Sequence, residues 1–116
     1  MTALYLESLE GLTRLRGVAG AMVVSADDGL VVAESLMEGI PGDAVAALAA
    51  SLMRRMGTAI SAAGFARPSF LHLQAARGAL LVVPAGPDTL LIAIGDRHIN
   101  LGLARIEMLQ AAEQLG

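Results

Sequence analysis

Three short runs of the sequence are apolar at every position, and they constrain the fold more than any other feature. The runs are Ala21–Val24, Ala79–Val83 and Leu90–Ile94. Each is far shorter than the roughly 18 residues that a membrane-spanning helix needs. A β-strand that is apolar on both faces lies inside a sheet that is covered on both sides. The sequence therefore predicts buried strands in a sheet with helices on its two faces.

A hairpin is predicted around Asp28-Gly29. This pair lies between Ala21–Val24 and Leu30–Ala33, and Asp-Gly between β-rich runs is a strong signal for a tight turn because both residues tolerate positive φ. Before the hairpin, Leu4–Arg16 has apolar residues at steps of three and four, which predicts a short amphipathic helix. Gly17 is placed to end that helix in the left-handed conformation.

The second half of the chain adds a long helix, three strands and a final helix. Asp43 is placed to cap a helix over Ala44–Ala63, and Asn100 is placed to cap one over Leu101–Leu115. Between them, Ser69–Ala75 alternates apolar and polar residues, which predicts a half-exposed strand at a sheet edge. The order α-β-β-α-β-β-β-α with short loops predicts an α/β fold, with a single five-stranded, mostly antiparallel sheet and helices on both faces.

The long helix has two faces of different character. One carries larger apolar residues and is predicted to pack on the sheet: Val45, Leu48, Ala49, Leu52, Met56 and Ile60. The opposite face carries small residues and one arginine: Ala47, Ala50, Arg54, Gly57 and Ser61. A glycine inside a helix costs about 0.5–1 kcal/mol relative to alanine, so Gly57 indicates a close approach by another element. A seam for a second copy is one interpretation, and an alanine-rich solvent face is the other.

Composition narrows the class of protein. A chain of 116 residues is expected to form one domain over residues 1–116. Its 55% hydrophobic and 16% charged residues give more apolar surface than a small monomer needs, so part of that surface is expected to cover a partner. The net charge of −3, without a basic stripe interleaved with aromatic residues, argues against nucleic acid. The N-terminus lacks the basic region of a signal peptide, so a cytoplasmic location is expected.

The residue pattern offers little chemistry. The sequence has no cysteine, and its two histidines, His72 and His98, fall in the edge strand and in a loop without metal-ligand spacing. The loop PAGPD lacks the Gly-x-x-x-x-Gly-Lys pattern and precedes a strand, so it is not a phosphate-binding loop. The sequence therefore predicts a binding module rather than an enzyme, with no catalytic residue, metal or cofactor.

The ordered set of these features resembles the Roadblock (dynein light chain) family, and in particular its bacterial members that work with small Ras-like GTPases. The resemblance runs from about Leu6 to Leu115. It rests on Leu9, Leu12, Gly17-Val18, Gly20, Ser25, Asp28-Gly29-Leu30, Ala33, the alanine-rich second helix, Leu101-Gly102 and Arg105. It implies a non-enzymatic homodimer or heterodimer in which the second helices pack together and the third strands pair into one continuous sheet.

Carried over residue by residue, the resemblance also implies an interface and a partner. The implied dimer interface consists of Ala47, Ala50, Arg54, Gly57 and Ser61 from the second helix with Phe70, His72 and Gln74 from the third strand. A small Ras-like GTPase is the implied partner, with Arg54 and Arg55 as its candidate contacts. The leading hypothesis is a homodimeric module that scaffolds or regulates such a GTPase. The alternative, a small-molecule-sensing domain on a similar sheet-and-helix fold, requires an internal pocket with converging polar groups.

Overall fold

The computed structural model describes residues 2–116 of the chain. Three helices and five strands follow one another in the predicted order α-β-β-α-β-β-β-α, so that prediction is confirmed. Their bounds are α1 Thr2–Thr13, β1 Val18–Ser25, β2 Val31–Leu36, α2 Gly42–Ala62, β3 Leu71–Ala75, β4 Gly78–Pro84, β5 Thr89–Asp96 and α3 Leu101–Leu115. None of the helices within these residues is long and apolar enough to cross a membrane.

The five strands form one antiparallel sheet in the order β2-β1-β5-β4-β3. The three inner strands contain the three apolar runs of the sequence, and all four residues of Ala21–Val24 have 0% exposure. The outer strands are β2 and β3. The prediction of an edge strand in Ser69–Ala75 is therefore confirmed, although β3 itself begins at Leu71.

Helices cover both faces of the sheet, and each face has its own core. Helices α1 and α3 pack on one face, around a cluster that includes Leu9, Val23, Leu81, Leu91 and Met108. Helix α2 packs on the other face, around a cluster that includes Met22, Val24, Ala46, Ala50, Met53 and Ile92. The sheet is thus the middle layer of three, as the doubly apolar strands predict.

The cap signals in the sequence agree with the structure in part. Asn100 caps α3, since its Oδ1 accepts a hydrogen bond from the backbone N–H of Leu103 at 3.0 Å. The prediction that Asp43 caps the long helix is wrong, because α2 begins at Gly42 and Asp43 lies in its first turn. A negative side chain there is stabilised by the positive end of the helix dipole. Gly17 has a positive φ, as predicted, with a value of 85°. It does not end α1, however, because that helix already ends at Thr13.

The β1–β2 hairpin has a longer loop than the Asp28-Gly29 pair predicts. Strand β1 ends at Ser25 and β2 begins at Val31. Of the pair, only Gly29 has a positive φ, and the side chain of Asp28 accepts a hydrogen bond from the backbone N–H of Leu30 at 3.1 Å. A Cβ on residue 29 would lie 2.9 Å from the Cα of Ala47, so the loop rests directly on α2.

The prediction of which face of α2 packs on the sheet is confirmed only in part: Ala49 is buried and Val45 packs against the core, but Leu48 and Met56 do not. The buried residues of the helix are Gly42, Ala46, Ala49, Ala50 and Met53, whereas Leu48 is 72% exposed. Because both faces of this helix carry apolar residues, periodicity alone does not show which one faces inward. Small side chains let the helix approach the sheet and the β1–β2 loop closely, and Leu48 and Met56 point away from the core.

Candidate functional site

The outward face of α2 carries an apolar strip. We define the outer strip as Leu48, Leu52 and Met56, which follow each other at steps of four residues and so share one side of the helix. Leu48 is 72% exposed and Met56 is 37% exposed, while Leu52 is half-buried. An exposed row of large apolar side chains on a helix is typical of a surface that packs against another protein.

The outer strip continues onto the sheet beside it. Leu48 shares a groove of about 420 Å³ with Val45, Leu80 and Ile94, because α2 does not cover β4 and β5 completely. Leu73 of β3 is paired with Leu80 of β4 and is 45% exposed. The bare apolar surface therefore extends from α2 across β4 to the edge strand.

Strand β3 leaves two backbone N–H groups at the open edge of the sheet. The β3–β4 ladder closes on the pair Ala75–Gly78 across a two-residue turn, and such a pair must be the hydrogen-bonded kind. Hydrogen-bonded and non-hydrogen-bonded pairs alternate along an antiparallel ladder, so the N–H groups of His72 and Gln74 point away from β4. A neighbouring strand could accept from both of them.

The side chains of the predicted strand interface lie on the other face of the sheet, the one that carries α1 and α3. Phe70 packs against that core, and the guanidinium of Arg105 lies 5.0 Å from the centre of its ring. His72 and Gln74 are exposed, and their Nε2 and Oε1 atoms are 2.9 Å apart. Phe70 is therefore engaged within its own chain, whereas His72 and Gln74 remain accessible at the edge.

The two adjacent arginines of α2 have different surroundings. Arg54 donates from Nη1 to the backbone carbonyls of Ala26 at 2.8 Å and Asp27 at 2.9 Å, so it holds the β1–β2 loop. Arg55 is exposed, and its side chain forms no hydrogen bond or salt bridge within residues 2–116. Arg55 lies three residues after Leu52, at the border of the outer strip.

The remaining residues of the predicted seam are spread around the helix. Ala50 has 0% exposure and lies in the core, so it presents no surface to a second copy. Gly57 is half-buried and faces Pro68, from which a Cβ at this position would be 3.9 Å away. Ala47 and Ser61 are exposed. The sequence reasoning missed Leu48 as a surface residue, because a large apolar side chain on an amphipathic helix is equally compatible with the core.

The β1–β2 loop next to Arg54 carries one perturbed carboxyl group. Hydrogen bonds from the backbone of Leu30 and the side chain of Ser25 lower the pKa of Asp28 below its ordinary value of 3.8, with a smaller contribution from the charge of Arg54. The carboxylate is fully exposed, so this shift reflects the geometry of the loop rather than a reactive site.

The titratable side chains of residues 2–116 form no metal site. No cluster of His, Asp and Glu in this part of the chain has the arrangement of a metal site, and no polar or charged residue in it is buried. His98 lies in the exposed β5–α3 loop, where its backbone N–H donates to Oδ1 of Asp96 at 2.7 Å. Both cores are lined by apolar side chains, and this does not favour the internal polar pocket that a small-molecule sensor needs.

Comparison with known proteins assigns the family. A family model described as the Roadblock/LC7 domain matches residues 4–95. The chain belongs to the Roadblock/LC7 family. The expected resemblance is confirmed. The matched residues include most of α1, all of α2 and nearly all of the five strands.

Relatives of this Roadblock/LC7 chain are found by sequence and by structure. The uncharacterized protein MJ0714 of Methanocaldococcus jannaschii is 34% identical over 104 residues, which cover 90% of this chain and 86% of the relative. The gliding protein MglB of Thermus thermophilus superposes with a TM-score of 0.89 and 26% identity, covering 98% of this chain and 87% of that one. An MglB structure with a tetrameric arrangement superposes with a TM-score of 0.90 and 29% identity, covering 99% of this chain and 89% of that one.

Proposed function

We propose that this Roadblock/LC7 chain is a homodimeric binding module, without catalytic activity of its own, that scaffolds or regulates a small Ras-like GTPase. The observation that carries the proposal is the outer strip of α2, which adjoins the incompletely covered sheet surface at Leu73, Leu80 and Ile94. Membership of the Roadblock/LC7 family supports it, as does the likeness to MglB, one of whose structures has a tetrameric arrangement.

In the proposed dimer, β3 of one chain pairs with β3 of the other. Antiparallel pairing satisfies the edge-facing N–H groups of His72 and Gln74, and it places the two α2 helices side by side on the same face of a continuous sheet. The outer strips then cover each other and the bare sheet between them. Burial of large apolar side chains at about 25 cal/mol per Å² is the main driving force for such an association.

The structure changes which residues of α2 are proposed for this interface. Leu48, Leu52 and Met56 replace the buried Ala50 and the partly covered Gly57 as the centre of the contact. Ala47 and Ser61 are exposed, but they lie five and nine residues from Leu52 and so face away from the outer strip, and they are not part of this contact. Large apolar anchors fit this role because most of the affinity of an interface comes from a few fully desolvated side chains.

Arg55 is the proposed contact for the GTPase. It is exposed next to the outer strip, and no acidic side chain within residues 2–116 pairs with it. A guanidinium binds carboxylates in a bidentate manner, and its stem packs on apolar surface, so it suits the rim of an interface. Arg54 is no longer proposed as a contact, because its Nη1 is hydrogen-bonded to the β1–β2 loop.

A binding experiment tests the proposal. The small Ras-like GTPase encoded nearest to the gene for this chain is loaded with GDP or with a non-hydrolysable GTP analogue, and its affinity for the full chain is measured by calorimetry. We expect one nucleotide state to bind more tightly, and Arg55→Ala to weaken that binding by about tenfold.

Arg67→Ala is the matched control, since Arg67 is an exposed arginine away from the outer strip and the same charge is removed. It is expected to change the affinity less than twofold. Absence of binding in both nucleotide states would contradict the GTPase proposal. An equal loss with Arg67→Ala would remove Arg55 from the contact.

A further inference from the structure

One end of the sheet carries a concentration of positive charge. We define the basic cluster as Arg16, Arg77, Arg97 and His98, which lie on the α1–β1 connection, the β3–β4 turn and the β5–α3 loop. All four side chains are exposed. Arg77, Arg97 and His98 line one shallow depression together with the carboxylate of Asp96. Three of the eight basic side chains of an acidic protein thus share one small region with a histidine.

The three loops are held together by close backbone contacts. The backbone of Gly17 approaches that of Ile99 so closely that no side chain fits between them, and the carbonyl of Gly17 accepts from the N–H of Asp96 at 2.7 Å. At Gly78, a Cβ would lie 2.5 Å from the carbonyl oxygen of Gly95. These contacts fix Arg16 beside His98, and the β3–β4 turn beside β5. The backbone positions from which these side chains project are therefore set by the fold.

The charges of the basic cluster are not neutralised within the chain. The one salt bridge found among residues 2–116 joins Arg14 to Glu10, outside the cluster. Asp96 is the acid nearest to the cluster, and its Oδ1 already accepts from the backbone N–H of His98 at 2.7 Å. Arg97 donates to His98 with a separation of 3.4 Å between Nε and Nε2, which leaves the other guanidinium donors available.

We propose that the basic cluster binds an extended acidic segment of a protein. Guanidinium groups form their strongest hydrogen bonds with carboxylates and phosphates. Asp96 lines the same depression, and its carboxylate can accept from a backbone N–H of a peptide, a donor that a phosphate group lacks. An acidic peptide carries both carboxylates and backbone N–H donors. Its carboxylates can accept from Arg77 and Arg97, and one of its N–H groups can donate to the carboxylate of Asp96. The proposal does not depend on GTPase binding.

A titration of the ¹⁵N-labelled full chain with the peptide (Glu-Ser)₆ tests this. Backbone amide shifts are expected at residues 16–17, 76–78 and 96–99, and they should diminish at high salt because exposed charges are screened. The peptide (Gln-Ser)₆ should give none. Arg97→Gln should weaken binding about threefold and the double variant Arg77→Gln/Arg97→Gln about tenfold, consistent with charge-assisted hydrogen bonds at an exposed site.

Arg67→Gln is the matched control, because it removes the same charge elsewhere on the surface and should leave the affinity for (Glu-Ser)₆ nearly unchanged. The spectra of the variants also show directly that they remain folded. An equal effect of Arg67→Gln, or shifts confined to other residues, would overturn the proposal. So would tighter binding of inorganic phosphate, or of vesicles containing phosphatidylserine, than of (Glu-Ser)₆.

Discussion

The guanidinium of Arg54, in the middle of α2, donates a hydrogen bond to the backbone carbonyl of Asp27 at 2.9 Å. A second bond from the same nitrogen reaches the carbonyl of Ala26 at 2.8 Å. Both acceptors lie in the β1–β2 loop, so one side chain joins the helix to the connection between two strands. The loop rests on the helix again at Gly29, next to Ala47. Helix α2 and this loop are therefore joined at two places, at Arg54 and at Ala47.

We expect Arg54→Ala to lower the free energy of unfolding by about 1 kcal/mol, because two carbonyl acceptors lose a charged donor at an exposed site where water replaces it in part. Urea denaturation followed by circular dichroism measures this. The neighbouring Arg55→Ala is the control and should change the free energy by less than about 0.5 kcal/mol. Equal effects of the two variants would show that the contact with the loop contributes nothing.

Leu48→Glu is expected to convert a dimer into a monomer. Leu48 is the most exposed residue of the outer strip, and in the dimer a carboxylate there would be buried without a partner, which costs about 3 kcal/mol or more. Light scattering should give twice the 11.9 kDa chain mass for the parent protein and a single chain mass for the variant. Leu30→Glu places the same charge at a leucine that is 66% exposed in the β1–β2 loop, and it should stay dimeric. A parent protein of single chain mass at micromolar concentration would contradict the dimer.

Hydrogen exchange distinguishes a paired β3 edge from an open one. The amides of His72 and Gln74 point away from β4, so their exchange should be slowed roughly 100-fold only when a second strand accepts from them. The monomeric Leu48→Glu variant supplies the unprotected reference. Fast exchange of both amides in the parent protein would mean that the edge is not paired.

Proline substitutions on β3 should distinguish the N–H groups at the open edge of the sheet from those that donate to β4. His72→Pro removes an edge-facing donor and is expected to weaken association while leaving the β3–β4 hairpin in place. Leu73→Pro removes a donor to β4 and should destabilise the fold itself, by about 3 kcal/mol. Thermal melting combined with light scattering measures both effects. The assignment of edge-facing amides would be wrong if the two variants exchanged these outcomes.

The lowered pKa of Asp28 predicts a pH-dependent stability. Because the folded-state pKa lies below 3.8, the ionised carboxylate stabilises the fold above that pH, and this contribution is lost as the pH falls through the folded value. Asp28→Asn retains an oxygen acceptor but loses the charge. Its denaturation midpoint should lie below that of the parent at pH 7 and approach it as the pH falls below the folded-state pKa of Asp28. A difference that stays constant with pH would show that the charge of Asp28 has no role.

The strands of this protein could be predicted from the sequence because their burial requires no knowledge of long-range partners. Ala21–Val24 is apolar on both faces, and only the interior of a covered sheet satisfies that pattern. The edge position of β3 follows from its alternation in the same way. Asn100 was predictable as a cap because its hydrogen bond to Leu103 is local in sequence.

The orientation of α2 could not be predicted, and the candidate site depends on it. Both Leu48 and Ala50 are compatible with a core, and the choice between them is made by the distance between the helix and the sheet. That distance is set in part by the β1–β2 loop, which contacts α2 at Gly29 and at Arg54. The carbonyl acceptors of Arg54, on Ala26 and Asp27, lie 28 and 27 residues earlier in the chain. Contacts over such separations leave no periodic signal in the sequence.

The thin, alanine-lined layer beneath α2 has a thermodynamic consequence. Alanine and glycine contribute little apolar area per residue, so this face of the sheet gains less from folding than the face that carries α1 and α3. In the proposed dimer, the second copy covers the outer strip and binds the folded chain but not the unfolded one. By mass action, the melting temperature of such a dimer should rise with protein concentration.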